Sequence, residues 1–365
     1  MGLIIAICIY LIVLSLLVAK DPETLSTKED FSFGASKSSA HSLGLSLFAT
    51  YISSIGFLAM PGKAFATNWI ILSSALSLPL VYLVTSRYFL PELFKISSVS
   101  CYDYLDKKLG SWAVNTCTLF SICFLIGRIG IVLYLVSIFS NEILGFNFIY
   151  TLLFISLTIT IYSCLGGLKA VIVTDTLQSL LLTCGALFLA LFLIYKMNTP
   201  LASLYQSYHE KISLGNFEIS FSNQNFFSMF IYGFFQNLMI FTSFQSTMQR
   251  FKAAKSIGEA KRSLRIACTM IFLAIFLFSA IGTLLFFFYK QGNALPPSIQ
   301  ADLVVGYFIK TQLSSAAQIL MIIAIFSAAM SSVDSALNSS SILLAEKLNH
   351  FITINRKYEV QLFRF

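Results

Sequence analysis

The stretch SAAMSSVDSALNSSS, Ser327 to Ser341, decides how this chain is read. It continues an apolar run, Ile319 to Phe326, that has the character of a membrane helix, yet it carries seven Ser residues, an Asp and an Asn. At helical spacing Ser331, Asp334, Ser335, Asn338 and Ser341 share one face, so one wall of the helix is rich in oxygen. A carboxylate at bilayer depth costs about 2.5 to 3.5 kcal/mol on insertion scales, which drives it toward a polar interior. Hydroxyl and carboxylate oxygens without His or Cys beside them suit a hard cation. Close helix packing explains the Ser and Ala residues, but it does not explain Asp334.

The rest of the composition agrees with a membrane setting. Of 365 residues 57% are hydrophobic and 11% charged, with a mean hydropathy of +0.81. That much apolar surface exceeds what a soluble core conceals, and its long unbroken runs indicate helices rather than a barrel. Nine candidate spans are expected, at about 2–19, 42–62, 69–90, 112–140, 147–164, 171–196, 225–245, 266–289 and 316–345. With the N-terminus outside, eighteen of the 24 basic residues fall on the inner side, five on the outer, and Arg128 inside a span. The positive-inside rule therefore predicts an outer N-terminus and a cytoplasmic C-terminus, in the plasma (inner) membrane. The basic block QRFKAAKSIGEAKRSLR, Gln249 to Arg265, reads as a cytoplasmic linker and topology anchor.

The seven Cys have no paired ligand spacing, and the three His are scattered, so neither a disulfide framework nor a zinc site is expected. No nucleotide-binding, hydrolase or redox constellation is present, and an enzyme is not expected. The net charge of +8 is distributed as a topology signal, which points away from nucleic acid as a partner.

Three further features matter. In ATYISSIGFLAMPGK, Ala49 to Lys63, the residues Ser53, Ser54, Gly56, Pro61 and Gly62 interrupt an apolar run, as in a broken helix with exposed carbonyls. Arg128 lies midway along its span, and either a substrate's acid group or one of Asp175 and Asp334 would answer its charge. Gly166 and Gly167 read as a tight turn, with Asp175 about one helical turn into the next span.

These segments together resemble the sodium:solute symporter family. The resemblance is carried, in order, by GLSLFATYISSIGFLAMPGKAF (Gly44 to Phe65), SVSCYDYLDKKLG (Ser98 to Gly110), RIGIVLYL (Arg128 to Leu135), CLGGLKAVIVTDTLQ (Cys164 to Gln178), MQRFKAAKSIGEAKRS (Met248 to Ser263) and FSAAMSSVDSALNS (Phe326 to Ser339). It implies an all-α integral membrane protein with an inverted-repeat (LeuT-like) transporter fold, in which five helices are echoed by the next five in opposite orientation. Residues 1–30 would be an extra leading helix and loop, 31–345 a partial symporter core, and 346–365 a cytoplasmic tail. The second repeat would then be incomplete, and a truncated, non-transporting fragment or sensor module is the alternative to a working carrier.

Carried over by position, the resemblance implies a sodium ion held by the carbonyls of Ala49, Ile52 and Ala328 and the hydroxyls of Ser331 and Ser332. It implies a second cation position around Asp175, Asp334 and Ser335. Substrate would lie near Ser53, Ser54, Gly56, Arg128, Asn237 and Gln245. The Arg128 position is similar to the carboxylate-holding Arg of sialic acid carriers. Ile55 and Gly56 stand where sugar carriers place acidic and amide residues, so an organic anion is expected to be the cargo. Sodium, a small solute and the lipid bilayer are the expected partners.

Overall fold

A computed structural model of the chain describes residues 10, 13, 28–34, 38–96, 98, 100–197, 200–218, 224–292 and 295–351. A short helix α1 (Lys28–Phe33) precedes α2 (Ala40–Tyr51) and α3 (Ser54–Ala66). Then follow α4 (Ile70–Leu93), α5 (Ser111–Leu144), α6 (Phe148–Ile161), α7 (Gly167–Tyr195), α8 (Phe226–Ser243), α9 (Gln245–Lys252), α10 (Ile257–Lys290), α11 (Val304–Gln312) and α12 (Ser315–Phe351). Six of these are long and apolar enough to cross a membrane, namely α4, α5, α7, α8, α10 and α12. The pair α2 and α3 makes a seventh if counted as one broken span. The expected span at 147–164 is a shorter apolar helix, α6, that runs into α7 across a kink. The expected span at 2–19 lies outside the described residues, apart from Tyr10 and Val13.

The break between α2 and α3 is set locally. Ile52 (φ −85°, ψ 111°) and Ser53 (φ −97°, ψ 172°) are extended, and the Ser53 hydroxyl accepts from the Gly56 N–H as a helix cap. The two axes meet at 63°. Such an interruption leaves the last carbonyls of α2 and the first amides of α3 without helical partners, so they are available to other groups.

Packing holds the broken pair in place. α10 runs along both halves and meets α3 so closely that a Cβ at Gly282 would lie 2.3 Å from the Pro61 carbonyl oxygen. α12 packs on α5 and on the α6–α7 element, where a Cβ at Gly185 would lie 2.6 Å from the Ala324 Cβ. The expected turn at Gly166 and Gly167 is a sharp kink, with Gly167 at φ 56° and ψ −155°. The side chain of Phe31 from α1 is buried beside it.

Candidate functional site

The oxygen-rich face of α12 meets the break in α2. The Ser331 hydroxyl donates to the Ala49 carbonyl at 3.0 Å and lies 3.1 Å from the Ala328 carbonyl. Ala49, Ile52, Ala328, Ser331 and Ser332 are all buried. The Ser332 hydroxyl has no hydrogen-bond partner among the described residues. A buried hydroxyl without a partner costs about 1 to 3 kcal/mol, and this one stands one residue from Ser331, beside the break in α2. Ile52 is extended, which takes its carbonyl out of the regular helical ladder. Carbonyl and hydroxyl oxygens from two helices, with no sulfur or imidazole, fit a hard monovalent cation.

The second expected cation position is built differently from the sequence expectation. Asp175 and Ser335 do come together, but the guanidinium of Arg250 stands between them. Its Nη2 lies 2.8 Å from Asp175 Oδ2 and 2.6 Å from Ser335 Oγ, while Nε donates to Ser46 Oγ at 2.6 Å. Ser46 in turn donates to Asp175 at 2.5 Å, and Thr50 and Ser335 share a hydroxyl contact at 3.0 Å. Arg250, Asp175 and Asp334 are fully buried, and Asp334 Oδ1 lies 3.4 Å from Ser335 Oγ. The expectation that the whole basic block is a cytoplasmic anchor is therefore corrected for Arg250. Its charge is neutralised inside the protein by a carboxylate and three oxygen acceptors, Ser246 O at 2.7 Å among them.

A cavity of about 320 Å³ opens on the other side of α2. Arg128 lines it and donates to the Thr50 carbonyl at 2.6 Å, and Lys63 lines it farther along α3. Among the described residues Arg128 forms no ion pair, and the cationic partner of Asp175 is Arg250. Tyr232, Gln236, Ser246 and Thr247 give the cavity its neutral polar groups. Two cationic side chains and several hydroxyl and amide groups suit an anion that carries hydrogen-bonding substituents.

Other expected substrate residues are placed elsewhere. Asn237 is buried as a tie, accepting from the Tyr51 hydroxyl at 2.7 Å and donating to Ser77 at 3.4 Å. Gln245 accepts from the Cys101 N–H at 3.0 Å. Ser53 caps α3, the Ser54 hydroxyl is buried without a partner among the described residues, and Gly56 packs near Met60. None of these five lines the cavity. The signal for the residues that do was a one-sided pattern: Met229, Tyr232, Gln236 and Ile240 recur at spacings of three and four along α8.

Comparison with known proteins bears on this geometry. A model of the sodium:solute symporter family matches residues 33–364. The chain is similar to the sodium/sialic acid symporter SiaT of Proteus mirabilis, 30% identical over 320 residues that cover 86% of this chain and 64% of that protein. It is also similar to the sodium/sialic acid symporter NanT of Aliivibrio fischeri, 26% identical over 87% of this chain and 64% of the relative. The chain thus spans somewhat under two thirds of the length of either protein. A solved structure of a Na+-coupled sialic acid symporter, substrate-bound and outward-open, matches with a TM-score of 0.95 at 26% identity, over 100% of this chain and 79% of that one.

Proposed function

Because the chain belongs to the sodium:solute symporter family, we propose that it carries a small organic solute, a carboxylate such as sialic acid, into the cell together with sodium by alternating access. The observation that carries this reading is the meeting of Ser331 with Ala49 at a helix break, beside the partnerless hydroxyl of Ser332. In this reading the coupling ion sits among the oxygens of Ala49, Ile52, Ala328, Ser331 and Ser332. The Ser331 hydroxyl turns its lone pair to the ion and releases the Ala49 carbonyl to do the same. Sodium then joins α2 to α12 in place of a weaker direct hydrogen bond.

The adjacent residue, Thr50, supplies the link to substrate. Its carbonyl accepts from Arg128, which lines the cavity. Ion and solute therefore act on consecutive peptide units of one helix end, and each favours the arrangement that the other needs. Such coupling is reciprocal, so substrate tightens sodium binding by the same factor. A substrate carboxylate takes the fork of Arg128, and its polar substituents meet Gln236, Tyr232 and Thr247.

The reading includes a nine-span arrangement within an inverted repeat, with the N-terminus outside and the multi-pass core in a lipid bilayer. Asp175, Asp334 and Ser335 form a second cation position in it, open to an added ion or proton only when Arg250 withdraws. The test is uptake of labelled sialic acid, proline and short carboxylates into proteoliposomes, with and without an inward sodium gradient. Sialic acid uptake several-fold greater with sodium is expected, and equal uptake of every solute in both conditions would sink the proposal.

A further inference from the structure

A second cavity, of about 390 Å³, shares no lining residue with the one beside Arg128 and lies where α4 and α10 part. α4 is interrupted at Leu76 and Ser77 and resumes with Pro79 in its first turn, a position where the missing N–H costs nothing. The interruption leaves a groove with Leu78 and Cys268 buried beneath it and Tyr82, Thr269 and Phe272 along its sides. Arg265 is the single charged residue that lines it.

Depth fixes what the groove faces. No charged residue occurs in α10 between Arg265 and Lys290, so 24 residues at 1.5 Å each put about 36 Å between the two ends, against a hydrocarbon core of about 30 Å. Arg265 therefore stands at the boundary between headgroups and hydrocarbon, with the remainder of the groove in the apolar layer. Leu80, Leu83, Leu273 and Phe276 around it are exposed and apolar, as a lipid-facing surface requires. Arg262 and Arg265 are exposed on consecutive turns of α10, and neither forms an ion pair with a described carboxylate. The Thr269 hydroxyl is spent on the Arg265 carbonyl at 3.0 Å, so the groove offers an acyl chain few competing polar groups.

We propose that this groove binds an anionic phospholipid, with one acyl chain along Leu78, Cys268 and Phe272 and the headgroup phosphate on Arg265. The apolar channel supplies a place for the chain, and a guanidinium at the boundary matches a phosphodiester through two parallel hydrogen bonds. Net negative charge on the lipid adds attraction from Arg262 next to it, which a zwitterionic headgroup offsets with its own cation.

The test uses the purified full chain and native mass spectrometry, with dioleoyl phosphatidylglycerol and dioleoyl phosphatidylcholine, which share their chains and differ in headgroup. The parent protein should retain phosphatidylglycerol about fivefold over phosphatidylcholine, the size of one basic contact with an anionic headgroup. Arg265→Gln should lose most of that preference with an unchanged melting temperature. Thr269→Trp, which fills the groove from its exposed rim, should lower retention of both lipids. Equal retention of the two lipids by the parent, an undiminished preference in Arg265→Gln, or full displacement of phosphatidylglycerol by inorganic phosphate would each overturn the proposal.

Discussion

The hydroxyl of Ser331 and the carbonyl of Ala49 stand 3.0 Å apart across 282 positions of sequence, and both are buried. The contact joins the end of α2 to the middle of α12 at the one place where α2 no longer uses all of its carbonyls. A hydrogen bond there is a fair substitute for a cation, and the hydroxyl of Ser332 has no comparable substitute among the described residues. Two neighbouring serines therefore respond differently to substitution.

Ser332→Ala removes a partnerless buried hydroxyl, so in choline medium its melting temperature should equal or exceed that of the parent. On the proposed assignment the same change deletes a ligand to sodium, worth about 1 to 3 kcal/mol, or roughly fivefold to a hundredfold in sodium affinity. Melting curves against sodium concentration check both halves. A variant that loses stability in choline while keeping its sodium response would contradict the assignment.

Arg128→Lys keeps the charge but loses the planar fork that serves a carboxylate and the Thr50 carbonyl together. Uptake should show KM raised by about tenfold or more, since a charge-assisted bidentate contact is replaced by a single one. Stabilisation by sodium alone should persist, because Arg128 does not touch the ion ligands. Loss of the sodium-induced melting shift would place Arg128 in the ion site instead.

Arg250→Met leaves Asp175 as an uncompensated charge in the protein interior, and Asp175→Leu does the reverse to Arg250. Each should destabilise by about 3 to 5 kcal/mol, whereas the double variant Arg250→Met with Asp175→Leu should recover a large part of the loss. Thermal melts in one detergent supply the comparison. Additive losses in the double variant would mean that the two residues act separately.

Gly167→Ala places a side chain at φ 56° and ψ −155°, where glycine alone is comfortable, and sets its Cβ 2.8 Å from the Phe31 carbonyl oxygen. A loss of about 1 to 3 kcal/mol is expected from the backbone conformation alone. Gly130→Ala, on an open face of α5 with nothing within 4 Å, should be close to neutral. Parallel melts of the two variants test whether the kink, rather than glycine content, carries the effect.

The broken helix and the oxygen-rich face of α12 were legible because their signals are local. The residues Ser53, Ser54, Gly56, Pro61 and Gly62 within an apolar run, and hydroxyls at helical spacing after Phe326, each break a pattern that lipid would otherwise impose. Arg128 announced itself as a lone cation within an apolar run. Arg250 did not, because it sits in a run of basic residues, QRFKAAK, whose neighbours are a good topology signal. Its burial depends on Ser46, Asp175 and Ser335 arriving at one point from three distant segments. α1 was obscured in the same way: the polar residues around it do not mark Phe31 as buried, yet Phe31 is packed against the Gly167 kink and close to Ile342 and Ala345.

The sequence by itself determined that the chain is a set of membrane helices, one of them broken and one lined with oxygen, because insertion energies and helical period act on neighbouring residues. Only the tertiary structure decided that the oxygens of Ala49 and Ser331 meet, that Asp175 answers Arg250 and not Arg128, and that Gln236 rather than Asn237 faces the cavity. Those outcomes follow from how helices cross and rotate against one another. A rotation of one helical position, about 100°, exchanges the residue that faces a cavity for one that ties two helices together.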